Sequence, residues 1–179
     1  MSECWKLIEN CDLHLDILEE CKRFNDWKEY NASNAFNAGR AEGTAGRWIG
    51  KPTHKTFPTF MKWYEERTDL YHWKDLGMSI HWARHRARFG PFGPEIRKLD
   101  AGATILPHIH DHKLETKFLY NMSINHPEGC DFIIEPEGKV PYIAGDVFKI
   151  NVHNEHSVYN KTNEDRYHAI LGVIDGTSI

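Results

Sequence analysis

Leu-Asp-Ala-Gly-Ala-Thr-Ile-Leu-Pro-His-Ile-His-Asp-His (residues 99–112) and Asn-Val-His-Asn-Glu-His-Ser-Val-Tyr-Asn-Lys-Thr-Asn-Glu-Asp-Arg (residues 151–166) hold the histidines whose spacing makes chemical sense together. In a strand, side chains two apart share a face, so His108 and His110 can grip one ion while Ile109 turns away into packing. A third ligand then has to arrive from another strand, and His156 is the candidate. Neutral imidazole suits iron, zinc, copper and nickel alike, so three histidines indicate a borderline transition metal without naming it. Between the two segments lie strand-like runs at 118–124 and 132–134, the turn signal Pro127-Glu128-Gly129 and a Gly138-Lys139 pair. Short runs rich in Ile, Val, Phe and Tyr, divided by Gly, Pro and Asn, are the signature of an antiparallel barrel or sandwich.

The chain of 179 residues is long enough for one domain with its own core. We expect a single domain over 1–179, mainly helical over 1–93, with the β core over 94–179. No run of about 18 apolar residues occurs, so a membrane-spanning helix is not expected. The first ten residues lack a basic start followed by an apolar block, so cytoplasmic residence is the expectation. Cys4, Cys11, Cys21 and Cys130 contain no Cys-x-x-Cys pair, which favours reduced thiols. A formal charge of −4 argues against general nucleic-acid binding.

In the first half, Leu7, Ile8, Cys11, Leu15, Leu18 and Cys21 recur at three- and four-residue steps, which predicts a helix from residue 3 to about residue 28, interrupted near Asn10-Cys11-Asp12, with Asp12 as a cap for its second piece. Residues 31–51, rich in Asn, Ala and Gly, read as a long loop, either a lid or a plain connector. Pro58 stands where a first helical turn tolerates proline, and Phe60, Met61, Trp63, Tyr64 and Leu70 follow as an amphipathic helix. Residues 78–89 carry His81, Arg84, His85, Arg86 and Arg88, a solvated basic face or a contact for an acidic substrate or partner. Gly90-Pro91-Phe92-Gly93-Pro94 is the turn cluster before the β-rich half.

The spacing around the histidines resembles two motifs of the cupin superfamily. Gly102 precedes His108 by six residues, Glu115 follows His110 by five, Gly145 precedes His156 by eleven, and Asn160 lies four beyond. The motifs depart at Met122, Asn151 and His153, where the family carries Gly, Pro and Gly. The resemblance implies a double-stranded β-helix in which His108, His110, His156 and Glu115 bind metal.

A second resemblance covers more features. Gly102-Ala-Thr-Ile-Leu-Pro-His108, Gly129-Cys130, Gly145-Asp146, and then His156, a gap of nine and Arg166 look like the iron- and 2-oxoglutarate-dependent aspartyl/asparaginyl β-hydroxylase and proline hydroxylase group. The fold it implies is mainly β, a cupin-like, jelly-roll double-stranded β-helix barrel with the N-terminal helices packed outside. It implies Fe(II) on His108 and His156, with coordination positions left open for chemistry, and 2-oxoglutarate as cosubstrate with its far carboxylate on Arg166. A planar fork of donors suits that task better than a point charge. The family's second carboxylate-binding arginine falls at Lys117, with Tyr120 as the alternative that faces the cavity.

Position 110 departs from the group. Proline hydroxylases carry a carboxylate there and some aspartyl hydroxylases no ligand, whereas this chain has His110, with Asp111 on the other parity. Three-histidine iron, a two-histidine site with His110 aside, and capture of Asp111 all remain open at this point. His112, His126, His153 and His168 have no assigned role, although His168 shares the parity of Arg166. The function implied is an oxygenase that uses iron, 2-oxoglutarate and dioxygen to hydroxylate an amino acid, a peptide side chain or another small acid. The alternatives are a three-histidine cupin dioxygenase that needs no 2-oxoglutarate and a cupin-like binding protein without turnover.

Overall fold

In the computed structural model, which describes residues 4–29, 46–71, 94–109 and 118–174, extended segments wind alternately between two sheets. The winding begins with β4 (Glu95–Leu99), β5 (Thr104–His108), β6 (Phe118–Ser123) and β7 (Cys130–Ile134), and ends with β9 (Asp146–Asn151), β10 (His156–Asn160) and β11 (Arg166–Ile174). Strands β4, β6, β9 and β11 lie in one sheet, whereas β5, β7 and β10 lie in the other with β8 (Gly138–Lys139). Every pairing is antiparallel. This alternation makes the architecture a double-stranded β-helix, as expected.

The larger sheet gains strands from the first half of the chain. β1 (Trp5–Asn10) pairs with β9 at one edge, and β3 (Arg47–Gly50) joins β4 to β2 (Lys28–Glu29) at the other. The seven-stranded order is β1-β9-β6-β11-β4-β3-β2 and the four-stranded order is β5-β10-β7-β8. β1 corrects the expectation of a helix from residue 3. Leu7 and Ile8 fit helical spacing, but Leu7 is 53% exposed and the segment is held by pairing with β9. A short apolar run satisfies either period, and the partner strand decides. The helix, α1, covers only His14–Arg23, and its N-cap residue is Leu13 rather than Asp12, with no side-chain cap hydrogen bond. Likewise, part of the expected loop over 31–51 is strand β3, and the remainder through residue 45 lies outside the described residues. The basic cluster Arg84 to Arg88 and residues 90–93 of the turn cluster also lie outside them.

α2 spans Pro58–Glu65 with proline in its first turn, as the sequence predicts, although Leu70 falls beyond it and is 42% exposed. Both helices cover the outer face of the larger sheet. Ile17 and Cys21 of α1 and Phe60, Trp63 and Tyr64 of α2 pack with Ile96, Tyr120, Met122, Val147, Tyr167, Ala169 and Leu171. A second cluster fills the space between the sheets: Leu99, Phe132, Ile134, Tyr142, Phe148, Ile150 and Val158. Period-2 alternation explains the division, since Tyr167, Ala169 and Leu171 point to the helices while Arg166, His168 and Ile170 point inward. The four cysteines are free and buried, and no described helix is long and apolar enough to cross a membrane.

Two local devices hold this arrangement. Gly145 turns the chain into β9 at φ +90°, and a Cβ there would sit 2.7 Å from the carbonyl oxygen of Cys11, so only glycine fits. Glu20 of α1 is buried at 2% exposure, and its carboxylate accepts the Thr59 and Phe60 backbone N–H groups at 2.7 and 3.2 Å. One helix thus supplies the N-terminal cap that the other lacks, with a negative charge at the positive end of the backbone dipole. Replacing Glu20→Ala strands two buried donors and is expected to cost about 1–3 kcal/mol. Urea denaturation checks this, and an unchanged midpoint contradicts it.

Candidate active site

The site starts from an irregularity in β5. Along β10, His156 and Val158 are two residues apart, but their partners on β5 are His108 and Ile105, three apart. The extra residue lies in Leu106-Pro107. Proline has no N–H to give the ladder and is tolerated at a bulge on an edge strand, which β5 is. The bulge sets His108 directly across from His156, with ring centroids 4.3 Å apart.

The two imidazoles are oriented in the same way. His108 Nδ1 lies 2.8 Å from the Leu106 carbonyl oxygen, and His156 Nδ1 lies 2.8 Å from that of Asn154. A carbonyl only accepts, so each Nδ1 carries a proton, and Nε2 is the nitrogen a metal would use. His156 also stacks on Phe132 at 6.2 Å with planes 4° apart. Among the described residues no group of three metal-ligating side chains forms. His110, Asp111, His112 and Glu115 lie outside the described residues, as does Lys117.

A row of rings leads from the histidines to Arg166. Phe132 touches Tyr142 at 5.7 Å, and the Arg166 guanidinium carbon lies 6.0 Å from the centre of the Tyr142 ring. Arg166 is completely buried, with no carboxylate hydrogen-bonded to it among the described residues. Its Nη1 donates to His168 Nδ1 at 2.9 Å, while Nε and Nη2 are buried without a hydrogen-bond partner. Burial pushes the guanidinium below its ordinary value. Buried donors of this kind are costly unless something accepts from them. An anion is the kind of group that could accept from them.

Tyr120 is corrected by this geometry. Its ring packs 5.0 Å from Tyr71 in the cluster under the helices, on the face of β6 opposite Arg166. The strand's phase follows from the buried Tyr120, Met122 and Ile124 on the helix side, which turns Leu119, Asn121 and Ser123 inward. Asn121 is therefore on the inward face, and its Oδ1 accepts the Tyr142 hydroxyl at 3.0 Å. A lone Asn inside a run of apolar residues was the available sequence signal. Tyr142, by contrast, comes from a turn segment with no periodicity to give it away. Tyr142 is raised above the ordinary phenol range by burial.

His126 stacks on Tyr142 at 5.7 Å. Burial first, and the Arg166 charge second, push its imidazole down to about 4, and His168 is lowered as well by burial, Arg166, Arg97 and Arg47. For both, the unfolded chain takes up a proton before the folded chain does as pH falls. The His126 contribution to stability is complete above about pH 6.5 and is lost as pH drops toward 4, and that of His168 is lost in the same direction. The urea midpoint is expected to fall across that window, and less steeply in His126→Phe. NMR titration of the His126 ring reads the same shift directly, and an ordinary value near 6.5 overturns it. A second outcome follows from the uncompensated charge: Arg166→Met is expected to stabilise the ligand-free protein by about 1–4 kcal/mol, read as a rise in melting temperature.

No protein-family model and no curated protein sequence matches this chain. Solved structures do match. A prolyl hydroxylase from Trichoplax adhaerens, in complex with a hypoxia inducible factor oxygen degradation domain peptide fragment, is 12% identical with a TM-score of 0.60, over 97% of this chain and 84% of that one. A prolyl-4-hydroxylase from Pseudomonas putida is 14% identical with a TM-score of 0.58, over 96% and 94%. An oxidoreductase of the 2OG-Fe(II) oxygenase family from Burkholderia pseudomallei is 13% identical with a TM-score of 0.50, over 91% and 81%. It is with the prolyl hydroxylases and the wider 2OG-Fe(II) oxygenases that this chain shares its double-stranded β-helix.

Proposed function

We propose that this protein is an Fe(II)- and 2-oxoglutarate-dependent dioxygenase that hydroxylates an amino acid, a peptide side chain or a small acid. The observation that carries this reading is Arg166: a completely buried cation with two unpartnered donors, joined by Phe132 and Tyr142 to a pair of facing histidines. An acid with two carboxylates and a 2-oxo group answers both ends of such a cavity.

The residues fit the group. His108 and His156 supply neutral imidazole nitrogens on two adjacent strands, and His110, two residues beyond His108, is our third ligand. Arg166 takes the far carboxylate of 2-oxoglutarate through paired, charge-assisted hydrogen bonds, with Lys117 as an additional charge. Bound Fe(II) with 2-oxoglutarate supplies the oxidising power drawn from dioxygen, which no side chain has. Phe132, Tyr142 and Phe148 wall the space between the two ends and keep water from the guanidinium, so that its charge acts in a medium of low polarity. The peptide bound to the Trichoplax adhaerens enzyme supports a peptide side chain as one class of substrate.

The test is anaerobic thermal denaturation of the Fe(II)-loaded protein with 2-oxoglutarate. At about 100 times its dissociation constant a ligand adds about 2.7 kcal/mol, which for a chain of this size raises the melting temperature by about 5–10 °C. Arg166→Ala is expected to abolish that rise while leaving Fe(II) binding intact, and succinate is expected to form in air only when iron is present. No rise at saturating iron, or oxygenation that proceeds without 2-oxoglutarate, overturns the reading in favour of a three-histidine cupin dioxygenase or a binder.

A further inference from the structure

Among the described residues Arg166 has one hydrogen-bond partner, which engages a particular nitrogen of the guanidinium. A guanidinium offers two edges at which parallel N–H bonds can meet both oxygens of a carboxylate: the side edge, Nε with Nη2, and the end edge, Nη1 with Nη2. The nitrogens left without partners are Nε and Nη2, which together make the side edge. The nitrogen that is engaged is Nη1, which donates to His168 Nδ1 at 2.9 Å.

We propose that His168 is a positioning residue that, by holding Nη1, fixes the orientation of the Arg166 guanidinium and presents its unpartnered side edge, Nε with Nη2, as the receptor for the far carboxylate of a dicarboxylic 2-oxo acid. This rests on the reading of the site as a 2-oxoglutarate site and adds the residue that sets its selectivity.

The residue type suits the task. Arginine only donates, so His168 must accept at Nδ1 and keep its proton on Nε2, which makes it a neutral partner. A carboxylate at this place would bind Arg166 more strongly, but it would cancel the charge that the ligand needs. A neutral acceptor fixes the direction of the guanidinium and leaves its charge uncancelled. The surroundings keep it neutral: His168 is 6% exposed, and Arg166, Arg97 and Arg47 add to burial in disfavouring a proton. The strand enforces the geometry as well. Arg166 and His168 are two apart on β11, hence on one face, and His168 is pinned in register between Arg97 of β4 and Ser123 of β6.

The experiment measures affinity of the whole Fe(II)-loaded chain under anaerobic conditions by calorimetry, with 2-oxoglutarate and with pyruvate, a 2-oxo acid that lacks the far carboxylate. The wild type is expected to prefer 2-oxoglutarate strongly. His168→Leu is expected to weaken 2-oxoglutarate by about tenfold or more while leaving pyruvate and Fe(II) affinity unchanged, the scale of one lost hydrogen bond to a charged group. His168→Asn, which returns an acceptor, is expected to restore most of the loss. His168→Asp supplies a carboxylate to Arg166 and is expected to fold and to lose 2-oxoglutarate most completely, so it decides the matter if the leucine variant does not fold. Wild-type affinity in His168→Leu or His168→Asp, no recovery in His168→Asn, or equal loss of 2-oxoglutarate and pyruvate overturns the proposal. A wild-type protein that does not bind 2-oxoglutarate removes this proposal together with the cosubstrate reading. A wild type that binds beside an unaffected leucine variant removes this one alone.

Discussion

A positive charge sealed between two sheets, with no carboxylate hydrogen-bonded to it among the described residues, is the constraint around which the interior is arranged. Arg166 is fully buried, yet among the described residues its only hydrogen bond is to a neutral imidazole. Water cannot reach its remaining donors, and a low-polarity interior makes an unanswered ion costly. The cost is borne by the surrounding framework, in which Tyr142, Phe148, Phe132 and Ile150 close the between-sheet layer and Ile96, Met122, Ala169 and Leu171 anchor the same strands from behind. Any anion that binds such a cation would stabilise the fold, because binding to the folded state alone shifts the folding equilibrium.

The framework also shows why two distant segments form one centre. β5 and β10 are some fifty residues apart in sequence but adjacent in the smaller sheet, and β11 follows β10 by crossing to the larger one. Successive turns of the double winding therefore bring the paired histidines onto one sheet and the arginine onto the other. The rings of Phe132 and Tyr142 lie between them.

Much of this was legible because its determinants are local. Alternation along 166–174, the turns at Gly129 and Gly145, and proline at the start of α2 all fix conformation within a few residues. What could not be read depended on partners far along the chain. Trp5–Asn10 carries apolar residues at a spacing that serves a helix, and only β9 makes it a strand. Tyr120 and Asn121 differ by one step of phase, and that phase is set by the helices that bury Tyr120, not by anything within β6. Asn121, Tyr142 and the Glu20 cap are contacts across 21 to 40 residues, invisible to periodicity.

Pro107 has a consequence beyond the aim of His108. Among the described residues it stands in the strand that ends the smaller sheet, where a row of backbone donors and acceptors would otherwise offer a template to an extended chain. An imino acid at the bulge breaks that row beside His108. The same kink that brings two imidazoles face to face thus also leaves this margin a poor template for strand addition.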